Sequence, residues 1–191
     1  MDIQHVCDYI ITRMEGAGKT LSVLTLQRLL YFAQGWHLAF YGGPFFEGRF
    51  QAWAQGPINR EIYDRFASRP LDSQVSAADV SKGFDVTSLS QEKSNHIRSV
   101  LEAYATCENS SLNKIINEDA PWLEARTGCL EHSQREIEED NIRRFCIVLY
   151  LMKQFGTKGC AKGCAKAQRQ TSPVPAVPRE ACEWARDLVP V

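Results

Sequence analysis

Leu24-Thr25-Leu26-Gln27-Arg28-Leu29-Leu30-Tyr31-Phe32-Ala33-Gln34-Gly35-Trp36-His37-Leu38-Ala39-Phe40-Tyr41 is the stretch on which the fold turns. Its apolar side chains recur at three- and four-residue steps, a spacing that predicts a helix from about Ser22 to Tyr41. Thr20 or Ser22 offers a side-chain oxygen to the open amides at its start, and Gly42-Gly43-Pro44 stops it. The apolar content wraps beyond one stripe, so this helix is expected at the centre, buried on most sides.

The flanking segments fit a helical shell. Ile3, Val6, Cys7, Ile10, Ile11 and Met14 define an amphipathic helix closed by Gly16-Ala17-Gly18. The aromatic and turn-rich run from Phe45 to Trp53 predicts a short extended or hairpin element, and Gly56-Pro57 predicts a turn. Helical spacing resumes with Ile58, Ile62, Tyr63 and Phe66 until Arg69-Pro70. A polar loop from Leu71 to Leu89 follows, with a short strand expected near Phe84–Val86. Ser90 caps a helix ending near Cys107; Leu112, Ile115 and Ile116 mark a short one, and Pro121 opens another that Gly128 closes. The last pattern runs from about Gln134 to Phe155, with Glu136, Glu138, Glu139 and Asp140 at the end where the helix dipole favours acids. The expected fold is mainly α: a compact helical domain over residues 1–155 with a small β-hairpin or short sheet. Residues 156–191 form a Cys/Lys/Pro-rich tail with too few large apolar side chains to order itself, although Trp184 and Leu188 offer a way to dock back.

The 191 residues carry 22 basic and 23 acidic side chains, a balance without the overall basic footprint typical of nucleic-acid binding. Nucleic acid is therefore not an expected partner. No apolar stretch approaches the roughly 18 residues of a membrane span, and the first residues lack the pattern of a secretory signal. The seven scattered cysteines do not form the framework of a small secreted domain. A cytoplasmic protein with reduced thiols is expected, and Cys7 and Cys146 read as small core hydrophobes.

Motifs that suggest catalysis weaken on inspection. Gly16-Ala17-Gly18-Lys19-Thr20 resembles the end of a phosphate-binding loop, but Arg13 stands where that motif needs glycine and a helix precedes it where a strand is required. Cys160, Cys164 and Cys182 are too few for a structural zinc site, with no histidine near them. The four histidines form no recognisable nucleophile–base arrangement. No catalytic, cofactor or metal residue is assigned, and no enzyme is expected. Two rival readings remain: a nucleotide-binding enzyme using the Gly16–Thr20 turn, and a nucleic-acid-binding regulator using Lys158, Lys162, Lys166 and Arg169. The unusual feature is the density of aromatics from Tyr31 to Phe66, a mixture of core residues and interface anchors.

The run Leu26 to Ala39, then Tyr41-Gly42, Pro44-Phe45-Phe46, Phe50-Gln51-Ala52-Trp53 and Gly56-Pro57, resembles the Panacea domain, the phage-associated, SocA-like antitoxin group. Glu118-Asp119-Ala120-Pro121-Trp122-Leu123-Glu124-Ala125-Arg126 resembles its second block, although Ile116-Asn117 stands where the family commonly has threonine-histidine. The resemblance covers roughly residues 3 to 155. It implies a mostly helical domain acting as the antitoxin of a bacterial or phage toxin–antitoxin pair. Such a domain neutralises a toxin encoded in an adjacent gene by direct protein binding; the SocA type serves as a proteolytic adaptor to the ClpXP protease. The residues expected to meet a partner are Trp36, Trp53, Gln55, Gly56, Pro57, Asn59 and Trp122.

Overall fold

Nineteen residues, Val23–Tyr41, form the central helix of the computed structural model, which describes residues 1–105, 109–128 and 134–155. We call this helix α2. Ser22 caps its start by accepting a hydrogen bond from the Thr25 amide at 3.1 Å, and Gly42 ends it in the left-handed region at φ 73°. Around it in chain order come α1 (Ile3–Gly16), β1 (Leu21–Ser22), β2 (Phe50–Trp53), β3 (Gly56–Asn59), α3 (Arg60–Arg65) and β4 (Gln74–Val75). They are followed by α4 (Gln91–Tyr104), α5 (Asn109–Asn117), α6 (Ala120–Arg126) and α7 (Glu139–Phe155). The architecture is mainly α with two small antiparallel two-stranded sheets, β1–β4 and β2–β3.

The core forms because α2 is apolar nearly all round. Leu26, Leu29, Leu30, Ala33 and Trp36 are buried, and α1, α4, α5, α7 and β3 all pack on the helix. Its closest neighbour is α7: a Cβ added at Gly35 would lie 3.0 Å from both Cys146 Sγ and Ile142 Cγ2. Glycine at 35 is what lets the two helices approach.

Two buried glutamines tie α2 to the chain beyond it. Gln34 Oε1 accepts from the amides of Phe45 (2.9 Å) and Phe46 (3.2 Å), while its Nε2 donates to Phe46 O at 3.2 Å. Seven residues earlier, Gln27 Oε1 accepts from Asn59 N at 2.9 Å and Nε2 donates to Asn59 O at 3.1 Å. Each amide side chain pairs with backbone as a neighbouring strand would, satisfying groups that burial would otherwise orphan.

The structure corrects several boundaries. The short strand expected near Phe84–Val86 is a single 3-10 turn over Val86–Ser88; the strand of that loop is β4, which pairs with Leu21 and Ser22. Gly56-Pro57 is not a turn but the start of β3, opposite Trp53 and Ala52, and the turn itself is Ala54-Gln55. Helix α3 consequently starts at Arg60 rather than near Ile58. The final helix begins at Glu139, not Gln134. Residues 135–137 instead lie extended beside β2: Ala52 N donates to Arg135 O, Ile137 N donates to Phe50 O, both at 2.8 Å, and Gln51 bridges Glu136. Acids at 136 and 138 suit a helix start, but the open edge of β2 offers paired hydrogen bonds that the local pattern does not reveal. Cys107 and the expected tail, with its cysteines, lysines and Trp184, lie outside the described residues.

Candidate functional site

The β2–β3 hairpin is held from beneath and open above. Asn59, 2% exposed, caps α3 by accepting from Ile62 N at 3.1 Å and donates through Nδ2 to Arg49 O at 3.1 Å. Gly48 lies at φ 123°, with room for no Cβ because Asn59 Nδ2 would be 2.9 Å away. From α6, Trp122 Nε1 donates to Trp53 O and Arg126 Nη1 donates to Ala52 O, each at 3.0 Å. Helix α6 starts where it does because Asp119 accepts from Trp122 N at 2.9 Å and Pro121 sits in the first turn. Tyr31 of α2 donates to the same carboxylate at 2.9 Å, which locks the hairpin, α6 and α2 into one rigid unit.

Above this frame the ring of Trp53 is half-buried, 4.8 Å centroid to centroid from Tyr63 of α3. Its indole Nε1 donates to Gln51 Oε1 at 2.9 Å. The Arg60 guanidinium stands 5.5 Å over Tyr63 and is itself held by Asp64. Ala54 and Gln55 at the turn are exposed. The result is a small aromatic surface edged by an ion-paired arginine, a composition that protein interfaces favour.

Of the residues expected to meet a partner, Trp53, Gln55, Gly56, Pro57 and Asn59 share the hairpin, and Trp122 braces it. Only Trp53 and Gln55 face solvent; Gly56, Pro57 and Asn59 are buried, and Trp122 is 8% exposed. Trp36 stands apart in the core, with Nε1 donating to Tyr104 OH at 3.0 Å and its ring stacked on Phe40. Sequence reasoning counted Tyr63 among the aromatics of the segment without placing it at the site, and gave no site role to Arg60, which completes the surface, or to Gln27, Gln34 and Asp119, which support it. Gln27 and Gln34 carried a signal: polar side chains seven apart in an apolar helix fall on one face.

Burial pushes the Cys7 thiol up to about 12 and that of Cys146 well above its ordinary value, so both stay protonated. His96 donates from Nε2 to Ala33 O and His37 from Nδ1 to Gly43 O, both at 2.8 Å. The Gly16–Thr20 turn follows a helix and precedes the two-residue β1, not the strand-then-helix order of a phosphate loop. An open hollow of about 290 Å³, bordered by Met1, Asp2, Ile3, Glu47 and Glu61, lies at the start of α1. No cluster of metal-ligating side chains occurs among the described residues, and no helix there is long and apolar enough to cross a membrane.

Fold and site thus define a helical scaffold that presents a braced hairpin. The family described as "Antitoxin SocA-like, Panacea domain" matches residues 26–123, from within α2 through the hairpin to Leu123 of α6, and the chain belongs to it. Antitoxin SocA of Caulobacter vibrioides (strain NA1000 / CB15N) is 34% identical over 68 residues, covering 36% of this chain and 36% of that protein. No solved structure matches the chain.

Proposed function

We propose that the protein is an antitoxin that neutralises a protein toxin by direct binding through the β2–β3 hairpin surface. The observation that carries this reading is the family match over residues 26–123, because that span takes in most of the central helix, the whole hairpin and Trp122 of its brace. A half-buried Trp53 against Tyr63 and Arg60 supplies the rigid aromatic and arginine anchors of a binding surface. In this reading the toxin is encoded by an adjacent gene, binding takes place in the cytoplasm, and the bound toxin is either sequestered or delivered to the ClpXP protease.

The test is co-expression with each adjacent gene product, scoring growth and co-purification together in cells with and without ClpXP. The expected result is a neighbour that arrests growth alone, is tolerated with this protein, and co-purifies with it. Rescue that needs ClpXP identifies an adaptor, and rescue that persists without the protease identifies a sequestering inhibitor. If no neighbour is toxic and none co-purifies, the reading fails.

A further inference from the structure

Arg28 lies on α2 directly beneath the hairpin turn and is only 4% exposed. Among the described residues its guanidinium makes a single hydrogen bond, from Nη2 to Gln55 O at 3.1 Å. Nε is sealed from solvent with no acceptor, whereas Nη1, equally without an acceptor, is not sealed. The ion pairs of the described residues use Arg49, Arg60, Arg65, Arg69 and Arg144, never Arg28. Burial lowers its pKa, with no carboxylate acting in the opposite sense. A buried cation without a counter-charge is costly in an isolated fold. This one lies against the turn: a Cβ at Gly56 would stand in van der Waals contact with Nε, 3.8 Å away, and Nη2 holds Gln55 O.

We propose that Arg28 is the receptor for an aspartate or glutamate side chain of a partner protein that docks on the hairpin, its carboxylate meeting the guanidinium edge left open beside Gln55. The proposal deepens the antitoxin reading and rests on it for the partner's identity. The planar fork of arginine suits a carboxylate, and the Trp53 ring, two residues before Gln55 in the same hairpin and packed on Tyr63, suits the body of a protein rather than a free anion. Displacement of water by the partner around the pair strengthens it.

The test follows the Arg28 Nε–H signal by proton–nitrogen NMR in the full chain, assigned by its disappearance in Arg28→Lys. Acetylated hexaglutamate is titrated in at constant ionic strength, with acetylated hexaserine and inorganic phosphate as parallel arms. A saturable shift with hexaglutamate alone is expected; no shift, or an equal shift with hexaserine or phosphate, overturns the proposal. A toxin recovered by co-expression gives an independent arm. Arg28→Met is expected to weaken its binding about tenfold or more while leaving the melting temperature unchanged or raised, because the unpaired charge is gone. Equal binding by Arg28→Met overturns the proposal and leaves the antitoxin reading standing, as does a loss of binding accompanied by a collapse in melting temperature. If no neighbouring product binds the unaltered protein, the antitoxin reading fails while the hexaglutamate titration still decides the chemistry of Arg28.

Discussion

Two tryptophans of the same aromatic-rich segment have opposite fates, and the difference lies in what each ring can reach. Trp36 is sealed among Phe40, Tyr104 and the α2 packing, and its Nε1 proton needs Tyr104 OH. Trp36→Phe keeps most of the apolar area and removes the N–H that this hydroxyl accepts, so a loss of about 1–2 kcal/mol is expected in urea unfolding, with partner binding unchanged. Trp53 gives the frame its carbonyl, which Trp122 holds, while its ring lies half in solvent against Tyr63. Trp53→Ala leaves the carbonyl in place. It is expected to cost about 2 kcal/mol or more of toxin affinity, measured by titration calorimetry, with a much smaller fall in melting temperature. Unchanged affinity with a large thermal loss would place Trp53 in the core instead. The density of aromatics marked both rings as important but not their surroundings, because a tryptophan on an apolar helix and one on a hairpin are equally hydrophobic in the sequence.

At the scale of elements, legibility followed the range of the interactions. Helices α1, α2 and α4 are set by local spacing and by caps within three residues, such as Asp2 to Gln4 N and Ser22 to Thr25 N. They lie close to where the pattern of apolar residues predicts them. The hairpin and the segment at 135–137 are set by partners far along the chain, Gln27 to Asn59 and Ile137 to Phe50. Their boundaries accordingly shifted, and local pattern gave Gln134–Glu138 to a helix. The α2–α7 seam is a further non-local feature, written in one small residue. Gly35→Ala would press its Cβ against Cys146 Sγ and Ile142 Cγ2 at 3.0 Å, so that these two side chains must give way by a few tenths of an ångström. A loss of about 1–3 kcal/mol is expected, recovered in part by adding Cys146→Ala. Failure of the second substitution to recover any stability would show that the strain lies elsewhere on α2.

For the whole molecule, acid response follows from buried titrating groups that pull in opposite directions. Burial holds His96 down to about 4 from an ordinary 6.5, and it lowers His37 as well. An unfolded chain takes up these protons near pH 6.5 while the folded one refuses them, so this part of the stability is complete above 6.5 and is lost as pH falls toward 4. Asp119 runs the other way: burial raises it from 3.8 to about 6, although Trp122 N and Tyr31 OH both favour the carboxylate. Its contribution is complete below 3.8 and is lost as pH rises through 6. Between pH 4 and 6 the two slopes oppose, each about 1.4 kcal/mol per pH unit for every proton by which the folded and unfolded chains differ. Asp119→Asn keeps an oxygen to cap α6 and to accept from Tyr31, but it does not titrate. Urea unfolding of this variant from pH 7.5 to 4 is therefore expected to show a steeper acid loss than the unaltered protein, the difference in stability moving in the variant's favour as pH rises from 4 to 6. Parallel profiles would mean that Asp119 titrates alike in folded and unfolded chains, and that the lock between α2, α6 and the hairpin costs no buried charge.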